Sequence, residues 1–190
     1  MKFHKIKSVL PVVIFLLCVT TAFGQTHSKL KAHKVTVDGT SSLHDWTSEA
    51  TKVEWKGIVK VEGGKVKEIK DVTVTIPVKS IKSEKGKTMD NKTYDAFKSD
   101  KFPGIIYKLT QVSGDGPVKA TGTLTMAGTT QTITLDLISK VLTSGDVQFT
   151  GKQTLDMKDY KMDPPTAVMG TIKVGPEVTV NIDLTVTPVK

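Results

Sequence analysis

Arginine is missing from this chain, and all 27 of its basic residues are lysine. Specific reading of phosphates and bases leans on the planar guanidinium fork, so this absence argues against nucleic-acid recognition. The lysines are scattered among 19 acidic residues instead of massed, which describes a solvated surface with a formal net charge of +8. Contact with an anionic membrane surface is then transient at most, at about 1 kcal/mol per lysine held close to the lipid.

Catalytic and metal-binding signatures are equally scarce. Cys18 is the sole cysteine, and it lies in the first 25 residues; beyond them the histidines are His27, His33 and His44. No HExxH pair, GxSxG elbow or glycine loop of phosphate-binding spacing occurs. His44 and Asp45 are adjacent, and neighbours in a strand point to opposite faces, so they are poorly placed to share a catalytic hydrogen bond. Paired carboxylates need only be close in space, but nothing in the sequence speaks for them. The expectation is a non-enzymatic protein without cofactor or metal. Aromatic residues make up 6% of the chain. Few flat platforms for sugar stacking remain once core positions are filled, and Trp55 reads first as a core residue.

Long apolar runs are also absent apart from Val9 to Val19, which is shorter than the roughly 20 residues that span a bilayer. Lys2, Lys5 and Lys7 precede it, and small residues including Ala22 and Gly24 follow. This pattern is that of a cleavable secretory signal over residues 1–24, with a mature start at Gln25 and a periplasmic or secreted product. Leu17 stands before Cys18 where a lipoprotein signal would carry a small residue. Removing 24 residues from 190 leaves 166, one domain's worth. The three signal lysines leave too, so the charge falls from +8 to +5. The exported domain has no cysteine, and burial and backbone pairing must hold it together.

What the chain does have is alternation. Residues 25–33 read as a polar leader, and 34–190 as one domain. Val53, Trp55, Gly57, Val59 and Val61 share a face, and Gly63-Gly64 supplies a tight hairpin. Val72, Val74, Ile76 and Val78 form the returning face. Ile105, Tyr107 and Leu109 follow, then Ala120, Gly122, Leu124 and Met126, a turn at Ala127-Gly128, and Ile133, Leu135 and Leu137. Pro164 and Pro165 exclude a central strand in the excursion before the last strand, Val178 to Val186. Near 88–99 the period changes: Met89, Thr93, Ala96 and Phe97 mark one face of a short helix. Thr88 is the expected cap, Asp90 lies in the first turn, Lys98 and Lys101 near the last, and Pro103 stops the segment.

Eight long strands that are apolar on one face suit an all-β antiparallel up-and-down barrel with one inserted helix, because closure removes exposed edges. Such a barrel is just wide enough for one slender ligand. The expected cavity lining is Trp55, Val74, Ile76, Phe102, Ile105, Tyr107, Leu124 and Met126, with Val74, Ile76 and Trp55 opposite the others. Gly57, Ala120 and Gly122 are expected to leave room inside.

Four segments carry a resemblance: SSLHDW (Ser41 to Trp46), the MD, TYDA and FPGIIY pieces of the helix segment, TGTLTMAGTTQTI (Thr121 to Ile133), and DYKMDPPTAVMGTIKVGPEVTV (Asp159 to Val180). In order and spacing they resemble the YceI-like family, secreted lipocalin-like barrels associated with polyisoprenoid lipids. The resemblance implies an isoprenoid or fatty-acyl ligand and a carrier or storage role for a monomer or homodimer. Two departures remove guanidinium groups: Met89 precedes Asp90 where relatives carry arginine, and Lys158, Asp159, Tyr160, Lys161 replace an Arg-Asp-aromatic-Gly run. The alternative functions are a filled barrel acting as a stress-response or protein-interaction module and, last, a hydrolase on lipid-like substrates.

Overall fold

One-sided strands must bury their apolar faces together, and here they do so by curling one antiparallel sheet around a common interior. The computed structural model describes residues 27–167 and 170–189; the expected signal over residues 1–24, with Cys18, lies outside them. The strands are β1 (Lys29–Ser41), β2 (Trp46–Ala50), β3 (Glu54–Glu62), β4 (Lys65–Pro77), β5 (Ile81–Ser83), β6 (Gly104–Ser113), β7 (Pro117–Met126), β8 (Thr129–Val141), β9 (Val147–Asp156), β10 (Thr166–Ala167) and β11 (Ile172–Thr187), with the helix α1 (Lys87–Phe97) between β5 and β6. Their order is β3-β4-β6-β7-β8-β9-β11-β1-β2-β5, with β10 added to β11 off this path. The result is a lipocalin-like half-barrel.

The expected meander is there, but the path has ten strands where eight were expected. All eight long strands form; the short β2 and β5 are extra and pair with each other at the sheet's end. Residues 51–53 break β2 from β3, and the inward face switches from Ser48 and Ala50 to Val53 and Trp55 across the break. The polar leader is also corrected: residues 29–33 belong to β1 and pair with β11, from Lys29 opposite Thr187 to His33 opposite Leu184. Polar side chains do not prevent pairing when a partner strand supplies the hydrogen bonds. Likewise β11 begins at Ile172 instead of Val178, its ladder with β1 interrupted between Gly39 and Ser41.

Two hairpins turn on paired left-handed residues, Gly63 and Gly64 (φ 57° and 74°) and Ala127 and Gly128 (φ 50° and 80°), which match the twist of the flanking strands. In β4 a bulge at Asp71 (φ 53°) inserts an extra residue opposite Gly57. The insertion resets the alternation, so Ile69 and Val72 both face inward. The free edge of β3 is covered by residues just outside β1 and β11. Ser28 N–H donates to Gly57 O (2.8 Å), Val59 N–H donates to Ser28 Oγ (2.7 Å) and Val189 N–H donates to Val59 O (2.9 Å). That satisfies an edge that would otherwise template aggregation.

The helix is capped two residues earlier than expected, at Gly86 (φ 83°), so Thr88 lies inside it and is not the cap. It ends at Phe97 because Lys98 adopts a left-handed conformation (φ 53°) and donates its N–H to Asp95 O and Tyr94 O. Pro103 comes too late to be the terminator, and Lys101 lies beyond the last turn. Two side chains fix α1 against β5 and the turn before it. Buried Asp90 accepts a hydrogen bond from Ser83 N–H at 2.7 Å, and Tyr94 OH donates to Lys79 O at 3.0 Å. The MD and TYDA pieces thus serve as the latch that holds a helix across one end of the barrel.

At the other end Val59, Val147 and Val186 are fully buried around Phe149. Asp146 ties that end together: Thr187 Oγ1 and Ser144 Oγ each donate to its carboxylate at 2.7 Å, and Lys31 Nζ pairs with it. These partners, Lys31 first, hold its pKa down at about 2. A depressed carboxylate stabilises the fold fully above its unfolded value near 4, and the contribution disappears as pH falls toward the folded value. We therefore expect the urea midpoint of the wild type to exceed that of Asp146→Asn at pH 5, with the gap closing between pH 4 and 2. A gap that stays constant across that range would mean the carboxylate charge contributes nothing.

Candidate functional site

Cross-strand register builds one wall of the interior directly. Trp55 pairs with Val74, Val74 with Tyr107, and Tyr107 with Leu124, a single rung across β3, β4, β6 and β7; Ile76 and Ile105 form the next rung. All of these line one apolar cavity of about 240 Å³, as does Met126. Trp55, Val74 and Ile76 are thus neighbours of Tyr107 and Leu124, not opposite them as expected, because β4 pairs directly with β6. The opposite wall comes from β8, β9, β11 and β1, where Leu135, Leu155, Val180 and Val37 point inward. The roof is the apolar face of α1, with Met89, Thr93, Ala96 and Phe97.

Phe102 does not join this lining. After the left-handed Lys98 the chain passes outside the barrel, and the Phe102 ring covers Gly128 so closely that a Cβ there would come within 2.4 Å of it. It lines a shallow outer depression with Pro103 and Ile106 instead. The glycines also do other work than expected. A Cβ at Gly122 would lie 2.8 Å from the Tyr107 ring and one at Gly57 would lie 2.9 Å from Val72, so these positions are small to admit their neighbours. Of the three residues expected to leave room, Ala120 alone lines the cavity.

Many inward side chains, including Val74, Ile76, Ile105, Leu109, Ile133 and Leu135, are only half-buried although they point away from solvent. A filled core would cover them, since protein interiors pack at crystal density. These residues face a hollow. Trp55 stacks against Phe149 with ring centroids 6.4 Å apart, at the end closed by the fully buried valines. Apart from the tryptophan and tyrosine rings, the polar side chains in the wall are Ser48, Ser83, Lys92, Thr93 and Gln153. Tyr107 donates its OH to Ala120 O at 2.9 Å, and burial pushes its pKa up to about 12, so it stays a neutral donor.

Sequence reasoning identified the helix face but not its place as a roof, which depends on the latch. Lys92 also escaped notice; its position three residues after Met89, on the apolar face, was the available signal. Among the described residues no cluster of three His, Cys, Asp or Glu is placed to hold a metal. His44 is exposed, and its Nδ1 meets the backbone oxygen of Asp45 at 2.8 Å, not the carboxylate. The lining is overwhelmingly apolar.

The YceI-like domain model matches residues 21–186. The chain belongs to the YceI-like family. Among solved structures, Burkholderia cenocepacia BcnA superposes with a TM-score of 0.66 at 18% identity, over 80% of this chain and 95% of that one. The Campylobacter jejuni YceI protein gives 0.60 at 22% identity, covering 75% and 85%. A polyisoprenoid-binding domain from Saccharophagus degradans, implicated in plant cell wall breakdown, gives 0.65 at 12% identity, covering 86% and 98%. At these identities the likeness carries the YceI-like fold. None of the curated proteins matches this sequence.

Proposed function

We propose that this YceI-like protein is a non-enzymatic carrier or storage protein that holds a long apolar chain, isoprenoid or fatty-acyl, in its interior. The observation that carries the reading is the hollow: an apolar cavity about 240 Å³ in volume, roofed by α1 and closed beyond Trp55 and Phe149. Water is poorly accommodated there, because it needs two to four polar partners. A hydrocarbon gains about 0.8 kcal/mol per buried methylene. The polyisoprenoid-binding domain with the same fold supports the ligand class. A periplasmic location rests on the lysine-flanked apolar run and small residues of the first 24 positions.

The hollow also weighs against the interaction-module reading, which requires a filled interior. Organic extraction of protein purified without detergent, followed by mass spectrometry, tests the proposal. We expect a long-chain apolar compound in near-equimolar amount. Recovery of none, from protein that also takes up no added chain, would sink the carrier reading.

A further inference from the structure

The cavity wall contains one charged side chain, Lys92. Its stem lies along the apolar lining and its ammonium crosses from α1 to β10, where it donates to the backbone oxygen of Thr166. A lysine has three donors, so this neutral acceptor leaves two unused. Two lysines at the same end are neutralised: Lys82 pairs with Asp90 at 3.4 Å and Lys79 with Asp100 at 2.9 Å. Lys92 has no such partner among the described residues, and neither does Lys173, which stands opposite Thr166 in the β10–β11 ladder.

An uncompensated cation at the end of an apolar hollow selects what sits there. The far end is packed by Val59, Val147 and Val186, so a chain's polar end must stop at the helix end, where burial without partners does not penalise it. We propose that Lys92 seats an anionic head group, a carboxylate or a phosphate, making the preferred ligand an amphiphile instead of a plain hydrocarbon or alcohol. This rests on the lipid-binding reading above and adds the head-group class and the residue that selects it.

The test compares four probes: a fluorescent polyene fatty acid, its methyl ester, farnesyl phosphate and farnesol. Wild type, Lys92→Met, Lys92→Arg and the exposed helix control Lys87→Met are titrated with each, after circular dichroism shows all four folded. Charge-assisted hydrogen bonds of this kind predict that Lys92→Met weakens the anionic probes roughly ten- to a hundredfold and changes the neutral ones less than about twofold. Lys92→Arg should keep most of the preference and Lys87→Met all of it. Whichever anionic probe depends more on Lys92 names the head group as carboxylate or phosphate. Equal weakening of acid and ester by Lys92→Met would assign the residue to holding β10, and no change in either would deny it any role; both overturn the proposal while leaving the cavity's function standing. Wild-type protein that binds none of the four probes would remove the lipid-binding reading itself.

Discussion

Leu124→Lys should yield folded protein stripped of its apolar ligand, whereas Thr123→Lys should retain the wild-type amount. Leu124 is 8% exposed and sits on the rung with Trp55, Val74 and Tyr107. An ammonium placed there must be desolvated, neutralised or followed inward by water, and each route makes the cavity hostile to hydrocarbon. The loss should be near complete. A chain of several isoprene units gains on the order of 10 kcal/mol from burial before ordering costs, and much of this depends on a dry, apolar wall. Thr123 is one residue away and points to the outer face, between Lys108 and Thr132 in the ladder. The pair of variants therefore differs in which side of the wall carries the charge. Mass spectrometry of extracts from both folded variants is the measurement, and equal ligand recovery would place the lipid outside this cavity.

Val180→Phe should do the reverse of what a core substitution normally does. In a packed interior, adding this much volume forces strain and destabilises by about 1–3 kcal/mol. Val180 instead lies half-buried on the cavity wall, between Val37 and Gln153 in the ladder, with hollow space in front of it. A phenyl group there gains burial without displacing a neighbour. The ligand-free protein should melt about 2–4 °C higher, the shift expected from roughly 1 kcal/mol in a domain of this size. Ligand uptake should fall sharply, because the ring occupies the volume the chain would take. A lower Tm with ligand content unchanged would mean that the interior at this point is already filled.

The two variants read different properties of one wall, its polarity and its emptiness. Phe102 marks where sequence reasoning fails to place a residue on it. Its aromatic ring, close to the FPGIIY strand, looks like lining, but the left-handed turn at Lys98 sends residues 101–103 over the outside of β7 and β8. Lys92 fails in the other direction. A lysine on an apolar helical stripe reads as a solvated exception, and its ammonium becomes meaningful only once β10 lies across from it.

Local pattern was enough to specify the eight long strands, the hairpins at Gly63-Gly64 and Ala127-Gly128, the helix and its apolar face. Seven of the eight side chains expected to line the interior face the hollow, all but Phe102. These are local properties: period two or 3.6, and turns that demand positive φ. Tertiary structure decided the rest. Pairing with β11 turned the polar residues 29–33 into strand, since a backbone ladder is indifferent to polar side chains that face water. The direct neighbouring of β4 and β6 put Val74 beside Tyr107 instead of across from it. The Asp90 and Tyr94 bonds to distant backbone groups set the helix over the open end. Whether the interior is full or hollow was also decided there, because it depends on how far apart the walls stand when the sheet curls, and no single strand contains that distance.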